Sequence, residues 1–390
     1  MKILFICGGG IVSGKEIITL SLMDGLRARG HEVRCVTSTW GAGEFAERLN
    51  AGQTPFIKLP LGFISKTLSL SAIRMTLHQM LKMPRLWLGY KSYLREFKPD
   101  VVVQTNFHHA FLLWPLMEAR NTIFHVHDPV SQTGFYRRLF KFLNRKLCAF
   151  VGVSDFIRDM IIQLGVPPEK VFSVRNGIDI KGIEEKIDER AEVIAGKRQG
   201  QTTGAVKIGI VGQVGEWKGH DDFVEALAGL RKDAFSFHGV IYGNGDASYI
   251  KSLKEKIDDY KLSEHVEWAG FVNDAKRIFS ATDICIVPSR SQDPCPTVAI
   301  EAAHFGVPLI ATRQGGLPEL VLDGETGYLV DARSPEQITE KLRLLIQDSA
   351  LRRRMSRAAR VYGLRHLTRE RMVREMETIF ARSCGTEDEV

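Results

Sequence analysis

Residues 2–29 read KILFICGGGIVSGKEIITLSLMDGLRAR. The first six form a short apolar run with β-branched and aromatic side chains. The glycines at 8, 9 and 10 end it, and a helical stretch follows from about Lys15 to Arg29. This is a β-loop-α unit, and the pattern recurs in EVRCVTST after Gly30, VVVQTN after Asp100, TIFHVHD from Thr122, AFVGVS from Ala149 and VFSVRNG from Val171. Continuous apolar runs alternating with amphipathic segments are the mark of parallel strands buried on both faces by crossover helices. The first half is therefore expected to be a doubly wound α/β domain.

From Lys181 to Ala205 the chain reads KGIEEKIDERAEVIAGKRQGQTTGA, polar and weakly periodic. The β-loop-α rhythm then restarts with VKIGIVG (206–212), FHGVIYG, HVEWAG, DICIVPS, VPLIAT and GYLV (327–330). The expected fold class is α/β, with two doubly wound, parallel-sheet, Rossmann-like domains facing across a cleft. The expected boundaries are 1–180 for the first domain, 181–205 for the link and 206–364 for the second domain. A C-terminal helix over 365–382 can return to the first domain, and 383–390 is a polar tail. Open α/β sheets bind ligands at the carboxyl ends of their strands, so function is expected in the loops that follow strands.

Length and composition agree. The 390 residues suit two domains, and 44% hydrophobic with 25% charged residues excludes disordered, collagen-like and coiled-coil chains. No apolar stretch reaches the eighteen or so residues of a membrane span. The N-terminal run is too short and strand-like for a signal peptide, so the cytoplasm is the expected compartment. The six cysteines (7, 35, 148, 285, 295 and 384) show no CxxC pairing, as expected of reduced thiols rather than a zinc site or a disulfide framework.

Gly9, Gly14 and Lys15 reproduce the spacing of a Walker A loop, but the next residue is Glu16, where magnesium ligation needs Ser or Thr. The loop reads better as a glycine-rich loop at a helix N-terminus, whose backbone N–H groups can meet an anion or let a ligand approach closely; the plainer reading is a tight βα turn with no ligand. The most informative stretch is PSRSQDPCPTVAIEAAHFGVPLIATRQGGLPELVLDGETGYLV, residues 288–330. Asp293 and Glu301 stand with seven residues between them, and Pro296 sits where a helix would begin. Such a helix would offer the N–H groups of Thr297 and Val298 to an anion, while carboxylates accept hydrogen bonds from sugar hydroxyls. A diphosphate joined to a sugar has both kinds of group.

This stretch resembles the signature of retaining glycosyltransferases of family 4, the glycosyl transferases group 1 proteins with the two-domain GT-B fold. The same order of pieces runs through the chain: SGKE, RGHEV, HVHD, VGVS, VRNGID, VGQVGEWKG, the acid pair, GGLPELV and DGETGYLV. The resemblance implies transfer of a sugar from a UDP- or GDP-hexose with retained configuration, without a metal or other cofactor. The donor would be held mainly by the second domain, and a glycan or lipid-linked glycan acceptor would be read by the first.

Carried over residue by residue, the resemblance makes Lys218 a cation on the diphosphate, Asp293 a contact to the donor sugar and Glu301 the acceptor of ribose hydroxyls. His127 would lie near the transferred sugar. Gly14, Gln213, Gly243, Cys295, Thr297 and Val298 complete the donor-binding set, with Gly243 bordering the nucleobase. Asn106, His108 and His109 are the acceptor candidates. Each has a plainer reading: Glu301 could cap its helix, Lys218 could be a solvated loop lysine, and His127 could be a satisfied core histidine. Two departures from the family pattern bear on activity. Gln213 stands where the family usually has an Arg, and Asp293 where it has Glu. A catalytically silent sugar-nucleotide-binding or partner-binding protein of the same fold is the alternative.

The net charge is +7. Residues 343–374 hold ten arginines against Asp348 and Glu370, which reads either as a solvated helical face or as attraction to an anionic membrane surface. The latter would make the protein peripheral on the inner face of a membrane. GFYRRLFKFLNRKLCAF (134–150) is a second basic and aromatic segment. Nucleic acid is not an expected partner, since no recognised module accompanies the charge.

Overall fold

The computed structural model describes residues 1–8, 12–40, 43–62, 69–179 and 204–384. Gly9, within the Walker-like spacing, most of the 181–205 link and the end of the polar tail lie outside the described residues. The chain divides into two compact units, one formed by 1–177 with 369–390 and the other by 178–368.

Unit 1 begins with β1 (Lys2–Ile6), α1 (Gly14–Ala28), β2 (Glu32–Ser38), α2 (Glu44–Ala51), β3 (Phe56–Leu59), α3 (Leu70–Phe97) and β4 (Val101–Gln104). It continues with α4 (Phe107–Leu113), β5 (Thr122–Val126), α5 (Gly134–Asn144), β6 (Ala149–Gly152), α6 (Asp155–Gln163) and β7 (Val171–Ser173). The seven strands pair in the order β3-β2-β1-β4-β5-β6-β7, and every pairing is parallel. The central strands β1, β4, β5 and β6 are buried as continuous apolar runs, while β7 at the edge is half-buried; Ile3, Leu4, Phe5 and Ile6, for example, are all inaccessible. Burial of that kind contributes roughly 1.5–3 kcal/mol per large side chain. β3 was not expected, because FIKL is short and includes an exposed lysine, as befits an edge strand.

Unit 2 contains β8 (Val206–Val211), α7 (His220–Lys232), β9 (Phe237–Tyr242), α8 (Ala247–Asp259), β10 (Val266–Gly270), α9 (Ala275–Ser280) and β11 (Ile284–Val287). Then come α10 (Thr297–His304), β12 (Leu309–Thr312), β13 (Gly327–Val330), α11 (Pro335–Gln347) and α12 (Ser349–His366). Its six parallel strands run β10-β9-β8-β11-β12-β13. Ile208, Ile210, Ile284, Ile286 and Ile310 form one core with Phe223 and Leu227 of α7 and Leu342 of α11. The strand order reverses between β8 and β11, so the loops leaving these neighbours diverge to opposite faces and open a crevice at their carboxyl ends.

The last helix, α13 (Arg369–Cys384), belongs to unit 1. The sequence expectation started it at 365, but α12 runs to His366 and the break falls at Leu367 and Thr368, where Ile178 N–H donates to the Leu367 carbonyl. Glu377 of α13 accepts both oxygens' worth of contact from Arg29 Nε, at 2.7 and 2.8 Å, and lies 2.7 Å from His31 Nε2. Arg371 donates to the carbonyls of Arg175 and Asn176. All six cysteines are free thiols, and Cys148, just ahead of β6, meets Cys384 at the end of α13 with sulfurs 2.8 Å apart.

Helices α1 and α13 touch through Gly25. A Cβ placed there would stand 2.5 Å from Cγ2 of Val373, a stiff, β-branched neighbour. Gly25→Leu is therefore expected to destabilise unit 1 by about 1–3 kcal/mol through overpacking. Urea unfolding checks this, the expected outcome being a lower midpoint.

Candidate donor site at the sheet crossover

The crevice between β8 and β11 is built by the loop 212–219 on one side and the loop 288–296 on the other. The first loop makes a short 3-10 turn over Glu216–Lys218, then Gly219 takes φ +75 and passes so close to β11 that a Cβ would lie 1.9 Å from the Pro288 carbonyl oxygen. Only glycine fits that crossing. Arg290 fastens it: its backbone N–H donates to the Trp217 carbonyl at 2.9 Å, and its guanidinium grips buried Asp222 with two bonds of 2.8 and 2.7 Å. This planar fork holds the loop that carries Lys218 against α7.

Lys218 and Asp293, 75 residues apart in sequence, meet in this crevice with Nζ 2.5 Å from Oδ2. Lys218 also lies over the Trp217 ring, 4.4 Å from its centroid. Asp293 is held from below by the GGLPELV segment. Gly315, at φ +59, sits where a Cβ would come 2.1 Å from the Asp293 carbonyl oxygen, and Gly316 N–H donates to that oxygen at 2.8 Å. Two buried polar atoms beside the same crossing, His220 Nε2 and Ser289 Oγ, have no partner among the described residues. Burial pushes the His220 pKa down to about 4, so its ring is neutral there.

Pro296 is the cap of α10, as the sequence indicated, and Thr297 and Val298 are its first residues, with no acid in the first turn. The helix thus opens with free donors and the positive end of its dipole. Cys295 is buried just ahead of it. Glu301 lies one turn along, partly buried, and desolvation pushes its pKa up to about 7. Gln213 and Gly243 come together on the wall of a pocket of about 260 Å³ at the ends of β8 and β9, with Phe271, 70% exposed, at its rim.

In unit 1, Gly14 is the first residue of α1, and no described atom lies within 4 Å of where its Cβ would be, so folding does not require glycine there. Glu16 caps its own helix: its carboxylate accepts from Ser13 N–H at 3.0 Å and from the Ser13 hydroxyl. His127 is buried after β5, with Nε2 3.2 Å from Nδ1 of His125, and burial holds its pKa well below the usual histidine value. A shallow pocket of about 70 Å³ beside it is lined by Asn106, Asp128 and Tyr136. Asn106 caps α4, its Oδ1 accepting from His108 N–H at 2.8 Å. His109 is 2% exposed and its pKa is pushed down to about 3, so it packs inside rather than facing solvent. Among the described residues no cluster of three or more His, Cys, Asp or Glu side chains could hold a metal ion.

Many arginines of 343–374 are engaged within the fold. Arg343 meets Asp233, Arg352 the Leu345 carbonyl, Arg360 the His304 carbonyl and Arg371 the contacts above. Arg354, Arg357, Arg365 and Arg374 remain exposed.

Residues 196–362 match the family model described as Glycosyl transferases group 1, and residues 12–181 match Glycosyltransferase Family 4. The two matches together account for most of the chain. The chain belongs to the group 1 glycosyltransferases. Among its relatives, D-inositol 3-phosphate glycosyltransferase of Corynebacterium glutamicum is 26% identical over 215 residues, 54% of this chain and 51% of that one. GDP-mannose-dependent alpha-(1-6)-phosphatidylinositol monomannoside mannosyltransferase of Mycolicibacterium smegmatis is 30% identical over 155 residues, 38% of this chain and 40% of that one. The chain spans about half the length of the first curated relatives it matches. The solved structure of Anabaena Alr3699/HepE with UDP superposes with a TM-score of 0.79 at 19% identity, covering 98% of this chain and all of the other. Its complex with UDP-glucose gives 0.75 at 20% identity, over 98% and 100%. This likeness establishes the GT-B fold of the glycosyltransferase.

The raised pKa of Glu301 has a signed consequence for stability. Its folded value, about 7, exceeds the ordinary 4.5, so the folded state holds a proton that the unfolded state has lost between those values. Stability contributed by the neutral carboxyl is therefore lost as pH rises through that window. Glu301→Gln is expected to raise the melting temperature of the ligand-free protein at about pH 8, with the gain shrinking towards pH 5. Thermal melts across that range check it.

Proposed function

We propose that the crevice of unit 2 binds a nucleotide-diphosphate hexose, UDP- or GDP-linked, and that the protein transfers the hexose with retained configuration to a glycan or lipid-linked glycan acceptor. The meeting of Lys218 with Asp293 above the N-terminal end of α10 carries this reading. It sets a cation, a sugar-binding carboxylate and a row of backbone donors at the switch point of a parallel sheet. The UDP-glucose bound in the Anabaena structure and the GDP-mannose on which the Mycolicibacterium mannosyltransferase depends have the chemistry such a set would recognise. The names of two relatives also specify an inositol phosphate and a phosphatidylinositol mannoside.

In this reading the diphosphate lies against Lys218, the N–H groups of Thr297 and Val298 and the amide of Gln213. The ribose hydroxyls donate to Glu301, and the base enters the pocket bordered by Gly243 and Phe271. Donor binding divides the resting ion pair, with Lys218 turning to phosphate and Asp293 to sugar hydroxyls. As the bond from the anomeric carbon to the phosphate oxygen breaks, negative charge grows on the departing diphosphate, where Lys218 and the helix end stabilise it. The acceptor hydroxyl attacks from the face the diphosphate leaves, and a phosphate oxygen takes its proton, which retains configuration. Gly14 and His127 of unit 1 keep the donor-side assignment that the family resemblance gives them, His127 as a hydrogen-bonding group that burial keeps neutral. Asn106 and His108 are assigned to the acceptor. Envelope glycan or lipopolysaccharide assembly on the cytoplasmic face is the setting that fits this chemistry.

Lys218→Ala is expected to lower turnover roughly 10²–10³-fold while leaving the fold intact, since the charge matters most as the diphosphate departs. Transfer kinetics together with circular dichroism check this, and wild-type turnover in a folded variant removes Lys218 from the mechanism. UDP or GDP should raise the melting temperature of the wild type, and Glu301→Gln should weaken that binding by about 1–3 kcal/mol. A nucleotide-induced shift without transfer or donor hydrolysis would turn the reading to a silent binding protein.

Turnover is also expected to survive EDTA, because the carboxylates of this site are turned to a lysine and to hydroxyls rather than to phosphate oxygens. Loss of activity in EDTA with recovery on adding magnesium would make 289–301 a metal-ligand loop.

A further inference from the structure

Helix α3 has two apolar faces. One is buried in unit 1 through Leu86, Tyr90 and Phe97, and on the same side buried Gln79 donates to the Pro60 carbonyl. The other carries Leu70 at 88% exposure, Leu77 at 56%, Leu81 at 82% and Leu88 at 71%. Their spacings of seven, four and seven residues stack them along one stripe of a helix with 3.6 residues per turn, over about 27 Å. Ile73 and Met80 are exposed along one side of the stripe, and Arg74 and Arg85 along the other. A stripe of this length uncovered in water marks an interaction surface.

Charge narrows the partner. Between Glu47 and Glu96 the sequence has no acidic residue, while Arg48, Lys58, Lys66, Arg74, Lys82, Arg85, Lys91 and Arg95 all fall in that interval. A second copy of the helix would face these cations with its own. The complementary partner is therefore apolar within and anionic at its surface. Among the described residues no helix is long and apolar enough to cross a membrane, so α3 would lie on a bilayer rather than span it.

We propose that the outer face of α3 docks unit 1 on an anionic phospholipid bilayer. Leu70, Leu77, Leu81 and Leu88 enter the boundary between headgroups and acyl chains, and Arg74 and Arg85 meet lipid phosphates. This assignment differs from attraction through 343–374, where many of the arginines are engaged inside the fold. It does not rest on the transfer reaction, so its failure leaves the donor site untouched.

The test is flotation of the full-length protein with phosphatidylcholine vesicles and with mixed phosphatidylcholine and phosphatidylglycerol vesicles. The wild type should float with the anionic vesicles, less with the neutral ones, and less as salt is raised. Leu77→Glu combined with Leu81→Glu should weaken flotation roughly tenfold or more. That variant should keep the wild-type melting temperature and its shift with nucleotide, because both side chains point away from the core. Arg74→Glu with Arg85→Glu should abolish the preference for anionic vesicles. Wild-type protein that ignores anionic vesicles overturns the proposal, as does a Leu77→Glu, Leu81→Glu variant that floats unchanged. Size-exclusion showing a dimer that this variant dissociates, without vesicle binding, overturns it in favour of an interface between copies.

Discussion

The crossing of two loops at the β8/β11 switch point is the constraint on which the site in unit 2 depends. Gly219 runs against the Pro288 carbonyl with no space for a side chain, and Arg290 ties both loops to α7 through Asp222. Asp222 is 2% exposed, and a carboxylate so placed needs a full partner. The clamp therefore does two things: it satisfies a buried charge, and it sets Lys218 where Asp293 can reach it. Gly315 and Gly316 perform the matching task beneath Asp293. Both side chains are thus positioned by backbone contacts on elements far apart in sequence.

The electrostatics of this site are arranged for exchange. Lys218 is paired and Glu301 is shifted towards its neutral form, so the ligand-free site holds little uncompensated charge. His220, beside the same crossing, is kept neutral by burial. The diphosphate of the proposed donor would meet Lys218 and the α10 dipole, with Asp293 released to sugar hydroxyls and Glu301 shifted towards its neutral form.

The strand repeat was plain in the sequence because parallel strands buried on both faces leave unbroken apolar runs, as in VVVQ and ICIV. FIKL was not, since an edge strand carries a lysine outward. The acid pair, Lys218 and Pro296 were readable from motif order, and so was the start of α10. The clamp was not readable. Nothing in a single sequence distinguishes Arg290 from a solvated loop residue, because its meaning lies in Asp222, 68 positions earlier. Gly315 and Gly316 stood out as a motif, yet their contact with the Asp293 backbone appears only once the strands are paired. Asn106, His108 and His109 follow β4 as expected, but the capping bond of Asn106 and the burial of His109 depend on packing that periodicity does not reveal.

The return of α13 to unit 1 gives the molecule a particular order of assembly. Unit 2 is one uninterrupted stretch of chain, complete before α13 is synthesised. Unit 1 is split, and until its final helix arrives the face of α1 around Gly25 and the carboxylate-seeking pair Arg29 and His31 have nothing to cover them. The polypeptide passes between the units twice, so neither can be excised by a single cut. A truncation at the end of α12 would look, by residue count, like the loss of a tail, but it would strip a packed layer from the domain that the chain began.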